Sequence, residues 1–409
     1  MGPVLIFDKS TLQSLSLDEA VWLENFFHSN ITPIFFIETL ADLSKPKTTR
    51  RAELLVAELA RKTPIGGSFP NGFHQALVGN DLAGYHPPMT NRVVLVGGVN
   101  MRNPEGKVGA HFDEFDEATA MARWQDGKFH EIERAVAGRW RSILTNIDFR
   151  SMMKQAMSAL GEDRVATLDE ARLLVEGFVK RSGVSVVRFA REFLGIGPQW
   201  QEEIDRRYSE TGDTPLNEFA PYAAYVLRVS LFFYTAMASH LIARERPSNM
   251  ADIAYLYYLP FCQVFASNDK LHARTAPMFC DMGQEFVDGK ALKAGLRELN
   301  EYYSGRMEEI EKVGIMRFAQ RPPRELDNAV TQLWDKFMPK WREVEPRGQA
   351  EGDRATDDKM ILKTMRDTVD KSVPLPPSSA PTEAEYTMIT RKMPVRRGRW
   401  RVLPPEVEK

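Results

Sequence analysis

Four acids set far apart in the chain, Asp8, Glu38, Asp252 and Asp269, occupy related places in the sequence pattern. Asp8 closes the apolar run Val4-Leu5-Ile6-Phe7, Glu38 follows the run at 32–36, and Asp269 comes just after the run at 262–266. In an open parallel sheet, residues just past the strands lie along the carboxyl edge, where ligands bind. Asp252, near the head of the helix that feeds the last run, can be brought to the same rim. Crowded carboxylates repel and raise one another's pKa unless a hard divalent cation neutralises them. Magnesium or manganese suits such an oxygen-only set. A site of that kind activates a water and steadies the leaving oxygen of a phosphodiester.

The elements that must position these acids are legible in outline. Val4–Phe7 reads as a buried strand, and Ser16-Leu17-Asp18-Glu19 has capping-box spacing before an apolar helix. Ser29-Asn30 breaks the pattern, residues 32–36 read as a second strand, and Ile37-Glu38 as the start of the next helix. Alternation of strand and helix within fifty residues predicts a right-handed parallel βαβ unit. After Pro46 the character changes. Helix signals dominate 48–247, around an irregular stretch at 63–91 and a β-like run at 92–96, so this span reads as a mainly helical insertion. The α/β pattern returns at 248: a short helix carries Asp252, a strand at 262–266 leads to Asp269, and helices follow at 273–286, 292–303 and 326–341. The division is then 1–47 and 248–345 for the two parts of the core, with 346–409 as an extended or mobile basic tail.

Bulk properties narrow the class. The chain has 409 residues, 43% hydrophobic and 27% charged, the usage of a globular protein with several domain-sized cores. Its two cysteines, Cys262 and Cys280, are too few for a disulfide framework, and the cytosol is the expected compartment. The opening residues lack a basic region before Asp8 and do not read as a secretory signal. The apolar stretch at 222–243 contains Arg228 and His240 and reads as a buried helix rather than a membrane span. A net charge of −2 gives no global field for gathering polyanions. Arg391, Lys392, Arg396, Arg397, Arg399 and Arg401, with Trp400 among them, form a local basic run that suits phosphate contact and base stacking, or a solvated tail.

In order and element type these motifs resemble the PIN-like domain nucleases. The family's opening strand ends in Asp-x-Ser or Asp-x-Asn, matched by Phe7-Asp8-Lys9-Ser10. Its early-helix Glu is matched by Glu38, its helix-borne Asp by Asp252, and its Ser/Thr-x-Asp by Ser267-Asn268-Asp269. The resemblance covers about 1–46 and 248–305, and the large insertion departs from it. It implies an α/β fold with a three-layer α/β/α core around a central parallel sheet. It also implies that Asp8, Glu38, Asp252 and Asp269 hold one or two Mg²⁺ or Mn²⁺ ions. Ser10 and Ser267, with Asp42, would orient them, and Lys270 or Lys9 would meet a phosphate oxygen. The implied substrate is RNA ahead of DNA and the activity that of an endoribonuclease. The insertion offers a surface for a protein partner, no membrane partner is implied, and many family members pair as homo-oligomers.

Each acid also has a plain role open to it. Asp252 can serve as a helix-end acid, Asp42 competes with Glu38 one turn later, and Asp269 sits in a turn-like Ser-Asn-Asp. Two other functions fit less well. A phosphatase of the haloacid dehalogenase type needs a second acid where Ser10 stands. A non-catalytic PIN-like scaffold, binding a partner through the insertion, gives no physical reason to keep repelling carboxylates together.

Overall fold

The computed structural model describes residues 2–45, 51–64, 69–106, 108–112, 114–161, 164–243, 248–343, 371–375 and 394–405. The chain opens with β1 (Val4–Phe7), α1 (Lys9–Ser14), α2 (Leu17–Phe26), β2 (His28–Ile31) and α3 (Pro33–Ala41). The insertion contributes α4 (Ala52–Lys62), β3 (Phe69–Pro70), α5 (His74–Leu82), β4 (Val99–Arg102) and β5 (Val108–His111). It continues with α6 (Asp116–Gln125), α7 (Glu131–Thr145), α8 (Phe149–Leu160), α9 (Leu168–Val179), α10 (Val184–Phe193), α11 (Gln201–Thr211), α12 (Leu216–Phe219) and α13 (Pro221–Ala238). The core resumes with α14 (Ser248–Leu256), β6 (Val264–Ser267), α15 (Lys270–Thr275), β7 (Glu285–Asp288) and α16 (Gly289–Ser304). Then come α17 (Met307–Val313), α18 (Ile315–Phe318), α19 (Ala329–Phe337), β8 (Val373–Pro374), β9 (Arg396–Arg397) and β10 (Trp400–Arg401).

The fold is α/β. A parallel sheet has the order β3-β2-β1-β6-β7, with β1 in the middle. From β1 the chain adds β2 and β3 on one side, and after the insertion it adds β6 and β7 on the other. The connection reverses between β1 and β6, which opens a crevice at their carboxyl ends. The register sets Leu5 beside Val264 and Phe7 beside Ala266, and the Asp8 amide extends the ladder to the Ala266 carbonyl at 3.2 Å. Leu5, Ile6, Phe7, Val264, Phe265 and Ala266 are all buried, as a central parallel pair requires.

Three expected elements are differently placed. Residues 32–36 belong to a helix and its cap: Thr32 accepts from the Phe35 amide and Pro33 occupies the first helical position. The strand is His28–Ile31 instead, with Ser29 and Asn30 buried in it and Asn30 Nδ2 donating to the Phe261 carbonyl at 2.8 Å. The span 273–286 holds the end of α15, a 3₁₀ turn and the start of β7 rather than one helix. The β-like run at 92–96 is irregular, and the strand lies beyond the Gly97-Gly98 pair as β4.

Most of the insertion is helical. α13 is its axis, packed against α5, α8 and α9, and buried along nearly its whole length. Its first turn is held by Asp81 of α5, a fully buried carboxylate that accepts the Ala223 amide at 2.8 Å and pairs with His86 at 2.6 Å. α7 lies against α3 and α14 against α13, α3 and α15, so the insertion braces the elements that carry Glu38 and Asp252. Among the described residues no helix is long and apolar enough to cross a membrane.

The end of the chain departs from the expectation of an extended or mobile tail over 394–405. β9 and β10 form a hairpin whose turn residue Gly398 has φ +58°. Trp400 is buried edge-on against Trp22, with ring centroids 4.8 Å apart, and Trp22 stacks on Tyr303 at 4.3 Å. The arginines are tied down in ion pairs: Arg396 to Glu311, Arg397 to Glu24 and Arg399 to Asp18. A large aromatic flanked by arginines facing acids has more to gain from docking than from solvation. Arg391 and Lys392 lie outside the described residues.

Candidate functional site

Asp8, Ser267 and Asp269 meet at the crevice between β1 and β6. Asp8 ends β1 and caps α1, so its carboxylate points into the first turn of that helix: Oδ1 accepts the Thr11 amide at 2.9 Å and the Thr11 hydroxyl at 2.8 Å. Its Oδ2 accepts from Ser10 Oγ at 2.6 Å and Ser267 Oγ at 2.9 Å. Asp269 caps α15 by accepting the Leu271 amide at 2.6 Å, and its own amide donates to Ser267 Oγ at 2.9 Å. Ser10 and Ser267 therefore both fix the first aspartate, and Ser267 also joins it to the fourth.

Glu38 lies in the second turn of α3, not at its start. Tyr255 of α14 donates its hydroxyl to Glu38 Oε2 at 2.7 Å, and Asp252 stands one turn earlier on that helix. Asp252 feels the charges of Glu38, Asp269 and Asp8, which brings all four predicted acids into one electrostatic neighbourhood. Among the described residues no donor bonds the Asp252 carboxyl. Burial pushes its pKa up to about 7, and the three acids add to the shift. Burial also raises Glu38, against the pull of Lys9 and Tyr255.

Asp8 moves the other way. Burial alone would lift it, but the His272 ring beside it and the bonds from Ser10 and Thr11 hold it below the ordinary carboxylate range. His272, a residue the sequence reading passed over, is fully buried on α15, one turn after Asp269. Its Nδ1 lies 2.7 Å from Ser267 Oγ and 3.7 Å from Asp8 Oδ2, and its Nε2 lies 2.6 Å from the Asp252 carbonyl. A carbonyl only accepts, so Nε2 carries a hydrogen. Ser267 Oγ, within bonding distance of both Nδ1 and Asp8 Oδ2, links the ring to the aspartate. Burial would lower the His272 pKa, yet Asp8 and Asp252 outweigh it and leave it raised.

Lys9 brings a cation behind the site. Its ammonium is 2.9 Å from Asp42 Oδ1 and 3.2 Å from the Glu38 carbonyl, and Lys45 also pairs with Asp42 at 2.8 Å. Asp42 is thus neutralised by two lysines and serves to anchor Lys9 behind the site. Of the two lysines expected to face a phosphate, Lys270 is the exposed one, in the first turn of α15. At the back of the crevice Asn268 gives its amide hydrogens to the Ser10 carbonyl at 3.2 Å, while its buried Oδ1 is unpartnered. That oxygen faces Gly289, where a side chain would collide with it.

The donor chemistry suits a hard divalent cation: oxygen only, partly buried, and mutually repelling at Glu38 and Asp252. As the side chains stand, no three His, Cys, Asp or Glu groups among the described residues are arranged to ligate one ion. Neither a family model, nor a curated protein, nor a solved structure matches this chain.

Proposed function

We propose that this chain is a metal-dependent nuclease with a PIN-like three-layer core, acting as an endoribonuclease. The observation that carries the reading is the gathering of four carboxylates at the reversal point of a parallel sheet, two of them with pKa values driven up by burial and mutual repulsion. Asp8, Glu38, Asp252 and Asp269 would hold Mg²⁺ or Mn²⁺. When bound, the cation supplies an activated water and relief of charge at the leaving oxygen of a phosphodiester.

The chain's own groups have distinct tasks. Asp8, ionised and gripped by Ser10, Thr11 and Ser267, is the fixed corner of the set. Asp252, its pKa pushed up to about 7 by burial, would have to release its proton to hold a cation. Lys9 screens the carboxylates from behind, and His272 bonds to Ser267 and the Asp252 carbonyl beside them. Lys270, exposed in the first turn of α15, would meet a substrate phosphate. RNA stands ahead of DNA by the family resemblance alone.

The test is incubation of single-stranded and structured RNA, and of DNA, with wild type, Asp8→Asn and Asp252→Asn, in Mn²⁺, Mg²⁺ or EDTA. Cleavage that needs the metal and disappears in both variants supports the proposal. Oligonucleotide binding without cleavage would favour the scaffold, and phosphate release from a small ester would favour a phosphatase.

A further inference from the structure

We propose that His272 is the positioning residue of the acidic site, joining Ser267 on β6 to the Asp252 carbonyl on α14 and so setting where the Asp8 and Asp252 carboxylates stand. The inference rests on the reading that these carboxylates are the working groups. It concerns how they are placed rather than what they cleave.

The geometry singles out this ring. Asp269 caps a six-residue helix, α15, and the turn that follows turns His272 inward to zero exposure. There Phe265 packs across it at 5.0 Å and 71°, and Tyr255 at 5.8 Å and 78°, so the ring has no room to swing. Tyr255 in turn donates to Glu38. One imidazole thus touches a side chain or backbone partner of Asp8, Glu38 and Asp252, and stands one turn from Asp269.

An apolar residue of similar size would fill the space between Phe265 and Tyr255. It would not offer two polar nitrogens on opposite sides of one ring, each facing a different acid-bearing element. The Nδ1 contact at 2.7 Å holds Ser267 Oγ where it reaches Asp8 Oδ2 at 2.9 Å. The Nε2 bond takes the Asp252 carbonyl at 2.6 Å and fixes the turn of α14 from which the Asp252 carboxyl projects. Buried groups that orient ligands in this way change metal affinity by about 10- to 100-fold when removed.

The experiment compares full-length wild type, His272→Gln, His272→Phe, Ser267→Ala and the double variant His272→Phe/Ser267→Ala. Mn²⁺ affinity is read by electron paramagnetic resonance, and folding by near-ultraviolet circular dichroism and melting. Affinity should fall about 10- to 100-fold in His272→Phe and less in His272→Gln, which keeps one donor. The double variant should bind no worse than His272→Phe, because both changes break one chain of bonds. A folded His272 variant that binds Mn²⁺ within twofold of wild type overturns the proposal, as does a fully additive double variant. If wild type itself binds no Mn²⁺, the nuclease reading fails, and carboxyl ¹³C resonances decide the positioning claim separately. The Asp8 and Asp252 signals should then move in His272→Gln and in Ser267→Ala while that of the remote Asp81 stays. Unmoved Asp8 and Asp252 signals would refute it whether or not a metal binds. Should His272→Phe fail to fold, His272→Gln and Ser267→Ala carry both arms.

Discussion

Replacing Asp252 by Asn should make the protein more stable and inactive at once, with a pH dependence that identifies the cause. The Asp252 pKa is raised from 3.8 to about 7. The folded chain therefore keeps a proton that the unfolded chain has already released, and folding stability declines as pH rises from about 4 to about 7. Each pH unit is worth about 1.4 kcal/mol, so a gap of about 3 units sets a ceiling of about 4 kcal/mol at pH 8 and nothing at pH 4. Asn has the same shape and no charge. Urea unfolding of wild type and Asp252→Asn in EDTA should give equal midpoints near pH 4 and a gain for the variant that grows to pH 8. Asp8→Asn should behave in the opposite sense, because the Asp8 pKa is lowered: its charge stabilises the fold above pH 4 and that contribution is lost only in acid. If Asp252→Asn were no more stable than wild type at pH 8, or equally favoured at pH 4 and pH 8, the idea of a strained carboxylate would be wrong.

Further outcomes follow from the same geometry. Mn²⁺ affinity of wild type should rise up to about tenfold per pH unit between pH 5 and 7 as Asp252 gives up its proton, then level off, and Asp252→Asn should flatten this rise in a resonance titration. Tyr255→Phe removes the hydroxyl that lowers the Glu38 pKa, so the Glu38 carboxyl ¹³C resonance should titrate at higher pH than in wild type; a midpoint that stays or moves to lower pH contradicts the assignment. Trp400→Ala should cost roughly 3–5 kcal/mol in urea unfolding, with cleavage per folded molecule retained; a loss below about 1 kcal/mol would mean that the hairpin adds little to the core.

The acids were legible because of where they stand. Asp8 and Asp269 interrupt apolar runs at the ends of buried strands, and that interruption survives even when the surrounding elements are misread. Glu38 kept its place in the site although its helix begins earlier than the pattern suggests. Thr32-Pro33 is a helix-start signal, and the apolar residues after it resemble a strand because α3 is buried along its first turns. β2 was hidden for the converse reason: Ser29 and Asn30 are polar, yet a central position buries them. The strand β7 follows a 3₁₀ turn and is only four residues long, too short for a periodicity to declare itself. His272 has no partner at helical spacing, and its neighbours Ser267, Asp8 and Asp252 come from three elements, so only the fold assembles them. The basic tail misled because arginines beside tryptophan suit a nucleic acid and a set of acids on α2 and α17 equally well.

Pairing of β1 with β6 has a consequence for the time at which the site comes into being. The ladder joins Leu5 to Val264, so the first acid must wait, with no neighbour on that side, until some 260 further residues exist. At about 5–20 residues per second that delay is roughly 10–50 s of translation. A nascent chain emerging from a ribosome carries Asp8 throughout but lacks the strand that completes its crevice. Prematurely terminated products would carry the first acid without the neighbouring wall, and a completed acidic cluster would belong only to chains that have passed β6 and closed the sheet.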